Sequence, residues 1–297
     1  MRTAITYGLF PLWFTGALAA AFYLYGMDIR AEWIVVGIGV STGLVVAIAE
    51  RIHPAHAQWN QSHNDIGTDA IHVIVSQGAI PALMESLIIA AVLHTSLSAQ
   101  AWLGYSVWPE SWPLVFQLAL GLICAQFFEY WFHRLCHTTP FLWRFHATHH
   151  CAERLYFLNA GRFHPVDTAI SVVLSFGTLM FLGASEVVML LMASWITVHG
   201  LFQHCNVHLR LGPLNWIFSM AELHRWHHSL VLEEANSNYG NNILLWDIVF
   251  GTVYWPKDKD ASANIGISDM ENFPQTWWGQ MCSPFQWKAI EIENQTL

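Results

Sequence analysis

The chain has 297 residues, of which 54% are hydrophobic, 14% aromatic and only 11% charged, with a formal net charge of -9. A soluble domain carries about 25% charged residues, so most of this chain is expected to sit in lipid. The negative balance, with no basic stripe interleaved with aromatics, excludes a nucleic-acid partner.

Residues 4 to 27 contain no charge and are long enough to cross a hydrocarbon core of about 30 Å. Arg2 before the apolar run and the Ala17-Leu-Ala19 stretch also fit a signal peptide, but the run continues to Tyr25, which favours an uncleaved span. Trp33 to Ala49 reads as a second span, making a hairpin with the first. The polar stretch Glu50 to Asp69 carries His53, His56 and His63 at irregular spacing, so it reads as a solvated or interfacial loop. Ala70 to Leu97 reads as a third span, kinked at Pro81. Its lone His72 and His94 are expected to be packing residues.

Ser98 to Pro113 lacks Lys and Arg but holds Trp102, Tyr105, Trp108 and Trp112, the composition of an interfacial aromatic belt. Leu114 to Phe132 is a fourth span. Asp167 to His204 is apolar again and broken near Gly183-Ala-Ser185, which predicts a shorter re-entrant or spanning hairpin. After Val207 the chain is more polar, and Trp277, Trp278, Phe285 and Trp287 suggest contact with the membrane surface. The expected fold is an all-α membrane protein: four spans plus the shorter hairpin, under a cytoplasmic helical cap. Three segments follow: 1–112 with the first three spans, a catalytic unit at 113–256, and a tail at 257–297.

Orientation comes from charge. Arg51, Arg134, Arg144, Arg154 and Arg162 fall on one side with Arg2, against Arg30 alone on the other, which places that side in the cytoplasm. The five cysteines form no CxxC pair and read as packed thiols in a reducing compartment.

Twelve of the seventeen histidines lie between His133 and His228, and eight fall into three boxes: His133-x-x-x-His137, His146-x-x-His149-His150 and His224-x-x-His227-His228. Spacings of three and four put rings on one helical face, and neutral imidazole suits iron, zinc, copper and nickel. Eight imidazoles exceed the needs of one ion, and a structural zinc site closes with four. Two ions with roughly four rings each, leaving positions open for oxygen, is the economical reading. The paired inward Glu-x-x-His motifs of carboxylate-rich di-iron bundles are absent, and no His-Glu-x-x-His of a zinc protease occurs. A bis-imidazole haem protein needs histidine pairs within spans rather than clusters at their ends. Chance packing of three boxes on one predicted face is the bland alternative, and the density of the boxes argues against it. Glu129, one turn before His133, reads as a metal ligand or, the favoured reading, as a carboxylate that orients a ring by accepting its N–H.

The ordered series of boxes strongly resembles the fatty acid hydroxylase and sterol desaturase superfamily of integral membrane di-iron oxygenases. Arg162-Phe-His164-Pro-Val-Asp167, Gln203-His204-Cys-Asn206, Leu214-Asn-Trp216, Asn238-Tyr-Gly240 and Trp246-Asp247 with Phe250-Gly-Thr252 also resemble that family, over about residues 60 to 256. The resemblance implies metal ligation by His133, His137, His146, His149, His150, His224, His227 and His228, with His204 completing the second ion's shell. It leaves His164 divided between ligand and structural residue, offers Asn159, Asn238 and Asp247 as groups that fix ring tautomers, and has no clear counterpart for His199 and His208, which read either as supports of the ligands or as packing residues.

What the resemblance implies about activity is equally concrete. Two iron ions (Fe2+/Fe3+), with O2 as co-substrate, would hydroxylate a sterol, fatty-acyl, alkylglycerol or related lipid that enters from the bilayer. A desaturase would use the same site, and a non-catalytic metal- or lipid-binding protein is the reading from another class. No flavin, haem or iron-sulfur motif is visible, so a separate ferredoxin, cytochrome b5 or flavoprotein reductase is expected to deliver electrons. The expected home is a bacterial inner membrane, or the endoplasmic reticulum in a eukaryote.

Overall fold

Lipid cannot hydrogen-bond a peptide group, so an apolar run that enters a membrane must close its own backbone bonds as a helix. The computed structural model describes residues 1–88, 95 and 107–295. Among these residues there is no β-strand, and six helices are long and apolar enough to cross a membrane: α1 (Arg2–Tyr25), α2 (Ala31–Ile52), α3 (Ile66–Ile88), α4 (Leu114–Thr138), α6 (Pro165–Leu182) and α7 (Glu186–Gln203). Shorter helices complete the chain: α5 (Pro140–His150), α8 (Ala221–His227), α9 (Leu232–Ala235), α10 (Leu245–Phe250), α11 (Trp277–Cys282) and α12 (Trp287–Gln295).

Half of the apolar stretch of α7 is buried inside the protein, against 22% for α1 and α2 and 17% for α3. Helix α7 is therefore the central staff, and α1 and α2 lean on it. Phe10 and Phe14 of α1 meet Phe202, Trp195 and Phe218 edge-on. Gly39 brings α2 so close to α7 that a Cβ there would lie 3.3 Å from Thr197. The outer faces of α1 and α2 expose Leu12, Val40, Leu44 and Ile48, as lipid-facing surfaces do.

The ends of the helices are fixed by polar contacts. At one end Tyr25 donates to Glu186 (3.1 Å), beside the α6–α7 turn, where Gly183 takes φ +86 that a side chain disfavours. At the other end Thr6 meets His53 (2.9 Å), and the Arg210 amide donates to the Thr6 carbonyl. All six long helices thus place one terminus at the end where the histidine boxes lie.

The predicted third span is helical from Ile66, earlier than expected. The backbone departs from α-geometry over Val75–Ala79, a wider π turn just before Pro81, which relieves the clash between a proline ring and the carbonyl four residues back. His94, Trp102 and Tyr105 lie outside the described residues. Two expectations about aromatics are corrected. Trp108 does not sit in an interfacial belt: it is 3% exposed and donates to Gln117 (2.7 Å). Trp287 likewise packs inward with Phe273, Ile290 and Cys151, while Trp278 and Phe285 remain exposed. All five cysteines are free.

Candidate metal centre

Helix α4 runs unbroken through the first box, so His133 and His137 project from one face of its last turns. Thr139 ends it, and Pro140 starts α5 at the position where a missing N–H costs nothing. The second box closes α5 and the third lies along α8 and its C-cap. His204 caps α7 at the same end.

The nine rings converge into two groups. His133, His137, His146, His150 and His227 bring ligand-capable nitrogens within 4.8 Å of one another, and His149, His204, His224 and His228 do the same. The second and third boxes each contribute to both groups because their adjacent pairs split, His150 from His149 and His227 from His228, whereas both rings of the first box join the five-histidine group. Neighbouring residues on a helix diverge by about 100°, so one adjacent pair faces two centres.

Ring tautomers follow from acceptors that can only accept. His133 Nδ1–H donates to the Tyr239 carbonyl (2.7 Å), His146 Nδ1–H to the Asp167 carboxylate (2.7 Å) and His227 Nδ1–H to the Ser237 carbonyl (2.8 Å). Their Nε2 atoms therefore carry lone pairs, yet His133 Nε2 lies 3.0 Å from both His146 Nε2 and His227 Nε2. Lone pairs so close repel unless a cation sits among them. His137 Nε2 and His150 Nε2, in the same group, are buried without a partner among the described residues. The donor set fits a metal ion.

In the second group His149 Nδ1–H donates to the Arg162 carbonyl (3.3 Å) and His204 Nδ1–H to Asn159 Oδ1 (3.2 Å). Their partners are crowded in the same way: His224 Nε2 is 2.9 Å from His204 Nε2 and 3.0 Å from His228 Nε2.

Burial, reinforced by neighbouring rings, holds His149, His150, His224 and His228 well below the ordinary imidazole range, and burial takes His204 and His227 to about 3. All are therefore neutral, the form a metal requires. A folded-state value below the unfolded one means the unfolded chain binds more protons, so stability falls as pH drops through the interval between them. Metal-free protein is expected to lose thermal stability from about pH 6.5 downward. A melting temperature unchanged between about pH 7 and pH 5 would contradict this.

The remaining predicted residues divide. His164 belongs to neither group: it caps α6 by accepting from the Val166 amide (3.2 Å) and reaches the Met281 carbonyl (3.4 Å). Glu129 meets no ring; its carboxylate accepts from Ser175 (2.8 Å) and Asn241 (3.0 Å), because His133 already donates to Tyr239. Asn238 meets no ring either. It bonds the Leu223 and Tyr254 carbonyls and so holds the loop carrying Ser237 and Tyr239. Asp247 acts one step away, accepting from the Tyr239 amide (2.8 Å), the Gly240 amide (2.7 Å) and Thr252 (2.7 Å).

His199 is buried between Phe10 and Phe218, and His208 packs on His53. His72, the lone packing histidine of α3, is buried and bonded to Gln280 (2.8 Å).

The carboxylate that does orient a ring is Asp167, which the sequence pattern noted in its RFHPVD segment without a role. Its signal was its place in the first turn after Pro165, beside a box in space but 21 residues from His146. Asp167→Asn is expected to lower metal affinity about 10- to 100-fold, measured by ferrous iron titration against a chelator.

Comparison with known proteins agrees with this geometry. The profile of the family described as Fatty acid hydroxylase matches residues 118–252. Ornithine lipid hydroxylase OlsE of Rhizobium tropici is 37% identical over 97% of this chain and 86% of its own length. The chain belongs to the fatty acid hydroxylase family. More distant members include alkylglycerol monooxygenase of Xenopus tropicalis, 29% identical over 53% of this chain, and methylsterol monooxygenase 1 of Rattus norvegicus, 30% identical over 46%. The matched stretch spans about a third of the former's length (35%) and 47% of the latter's. No solved structure matches. Like these relatives, the chain is an oxidoreductase of the lipid hydroxylase and monooxygenase class.

Proposed function

We propose that this chain is a multi-pass membrane di-iron hydroxylase that inserts one atom of O2 into a C–H bond of a membrane lipid, and that an ornithine-containing lipid is the substrate to test first. The observation that carries the reading is the convergence of nine imidazoles, eight of them buried and His137 partly so, into sets of five and four, with lone pairs facing one another. Full-length similarity to an ornithine lipid hydroxylase supports the substrate. All-nitrogen sites also accept zinc and copper; the resemblance of the three boxes to di-iron oxygenases supports iron.

Two iron ions bound there would supply the activation of dioxygen and the oxidation of an unactivated C–H bond. The protein's part is positioning. His133, His137, His146, His150 and His227 would hold one ion, and His149, His204, His224 and His228 the other. Asp167 and the Tyr239, Ser237 and Arg162 carbonyls hold the protons on the far nitrogens and keep the rings aimed.

A groove lined by Phe132, Phe141, Leu142, Phe145, Val166 and Ile170 opens between α4, α5 and α6, with Cys136 and Asp167 at its floor. Cys136, His146 and Asp167 converge within 4.8 Å, so an acyl chain in the groove would lie against the five-histidine group. Its apolar walls exclude water from that side. Ile170→Trp is expected to raise KM for a long-chain lipid with little change in bound iron; an unaltered KM would remove the groove from the substrate path.

The arginine asymmetry supports a cytoplasmic site, in a bacterial inner membrane by analogy with the Rhizobium relative, or in the endoplasmic reticulum of a eukaryote. A separate ferredoxin, cytochrome b5 or flavoprotein reductase would deliver electrons there. Lipids extracted from cells with and without the gene test the reading. A new lipid heavier by one oxygen is expected. A new alkene with no oxygenated product would assign desaturation instead.

A further inference from the structure

We infer that the two histidine groups are supported separately, and that Glu50, Asp65 and Asp69, from the N-terminal part of the chain outside the family-matched region, are positioning residues for the four-histidine group alone. This inference rests on the two-ion reading above.

The supports differ in origin. The five-histidine group takes its ring partners from Tyr239, Asp167 and Ser237, all within residues 118–252. In the four-histidine group His224 Nδ1 and His228 Nδ1 have no partner among the described residues, where Asn159 and the Arg162 carbonyl are the ring partners found. Both sit in the irregular stretch between α5 and α6, whose sole regular element is one 3-10 turn, Phe157–Gly161. So short a turn does not hold its own geometry, and its backbone must be tied from outside.

Three buried carboxylates tie it. Asp65 takes Arg154 in a two-pronged pair, Nε and Nη2 each at 2.7 Å. Asp69 takes Arg162 Nε at 2.6 Å and the Tyr156 hydroxyl at 2.7 Å. Glu50 accepts from the Phe157 amide and the Asn206 amide, both at 2.9 Å, and so bridges the loop to the residues just after His204. Asn159 completes the frame by donating to the Arg154 carbonyl (2.6 Å) and accepting from the Tyr156 amide (3.2 Å). Asp69 and Arg162 are 0% and 1% exposed, so neither charge is served by water. Removing one leaves the other stranded, and the loop moves with it. The N-terminal helices are thus a frame for one metal position as well as an anchor.

Ferrous iron binding by the full-length protein in detergent tests this without reference to turnover. His137→Ala leaves the four-histidine group intact, and His204→Ala leaves the five-histidine group. Adding Asp69→Asn is expected to weaken ferrous iron binding about tenfold or more in the His137→Ala background and to leave it unchanged in the His204→Ala background. Should Asp69→Asn not fold, Asp69→Asn with Arg162→Gln removes both charges together and carries the same comparison. Equal losses in the two backgrounds, or no loss in either, would overturn the inference while leaving the two-ion reading standing. Wild-type protein that binds no ferrous iron would instead overturn that reading, and the inference with it.

Discussion

On the two-ion reading the wild type is expected to bind two ions and His227→Ala protein one, and the variant to turn over at less than about one-thousandth of the wild-type rate. His227 is fully buried, its Nδ1–H is committed to the Ser237 carbonyl, and its Nε2 lies 3.0 Å from His133 Nε2. Alanine removes one of five converging rings and leaves four whose spacing was set for five. The other group keeps its own four histidines, so iron should be halved rather than abolished. Iron analysis and turnover on one preparation check both parts. Wild-type iron content in the variant would remove His227 from the centre.

Gly240→Ala is expected to destabilise the protein by about 3 kcal/mol, at the upper end for an overpacked site, and to strip iron from the five-histidine group. A Cβ at position 240 would lie 2.4 Å from the Ile243 carbonyl oxygen and 2.7 Å from Asp247 Oδ2. The nearest obstacle is backbone and cannot rotate away. Relief requires the Asn238–Asn241 loop to shift, and that loop presents the Tyr239 carbonyl to His133. Asp247 holds the same loop through the Tyr239 and Gly240 amides, so the substitution breaks two supports at once. A melting temperature and iron content equal to wild type would contradict the argument.

The histidine boxes were legible because helical spacing is written in the order of residues: rings three and four apart share a face whatever surrounds them. The long helices were legible for a similar reason, since an uncharged run of the right length has few alternatives in lipid. The partners of the rings were hidden. Every residue carries a carbonyl, so nothing in the letters marks those of Tyr239, Ser237 or Arg162 as acceptors.

Glu129 shows the limit of a helical argument. It lies one turn from His133, but the ring's free N–H was already taken by a loop more than a hundred residues away, and the carboxylate turned to Ser175 and Asn241. Asp167 was hidden by distance in sequence, and His164 drew attention in the same motif while serving as a helix cap. The N-terminal carboxylates were less visible still. Glu50 and Asp69 read as the ends of a polar loop and Asp65 as part of it, and only the fold shows the three buried against Phe157, Arg162 and Arg154.

The central claim is that this centre places oxygen from O2 on a lipid carbon. Isotope labelling tests it most directly: purified protein loaded with ferrous iron, given a reductant system and ornithine lipid, under 18O2 in unlabelled water. The account predicts a hydroxylated lipid carrying one 18O atom, absent when His227→Ala replaces the wild type. A product whose oxygen comes from water, or one equally abundant with His227→Ala, would contradict it.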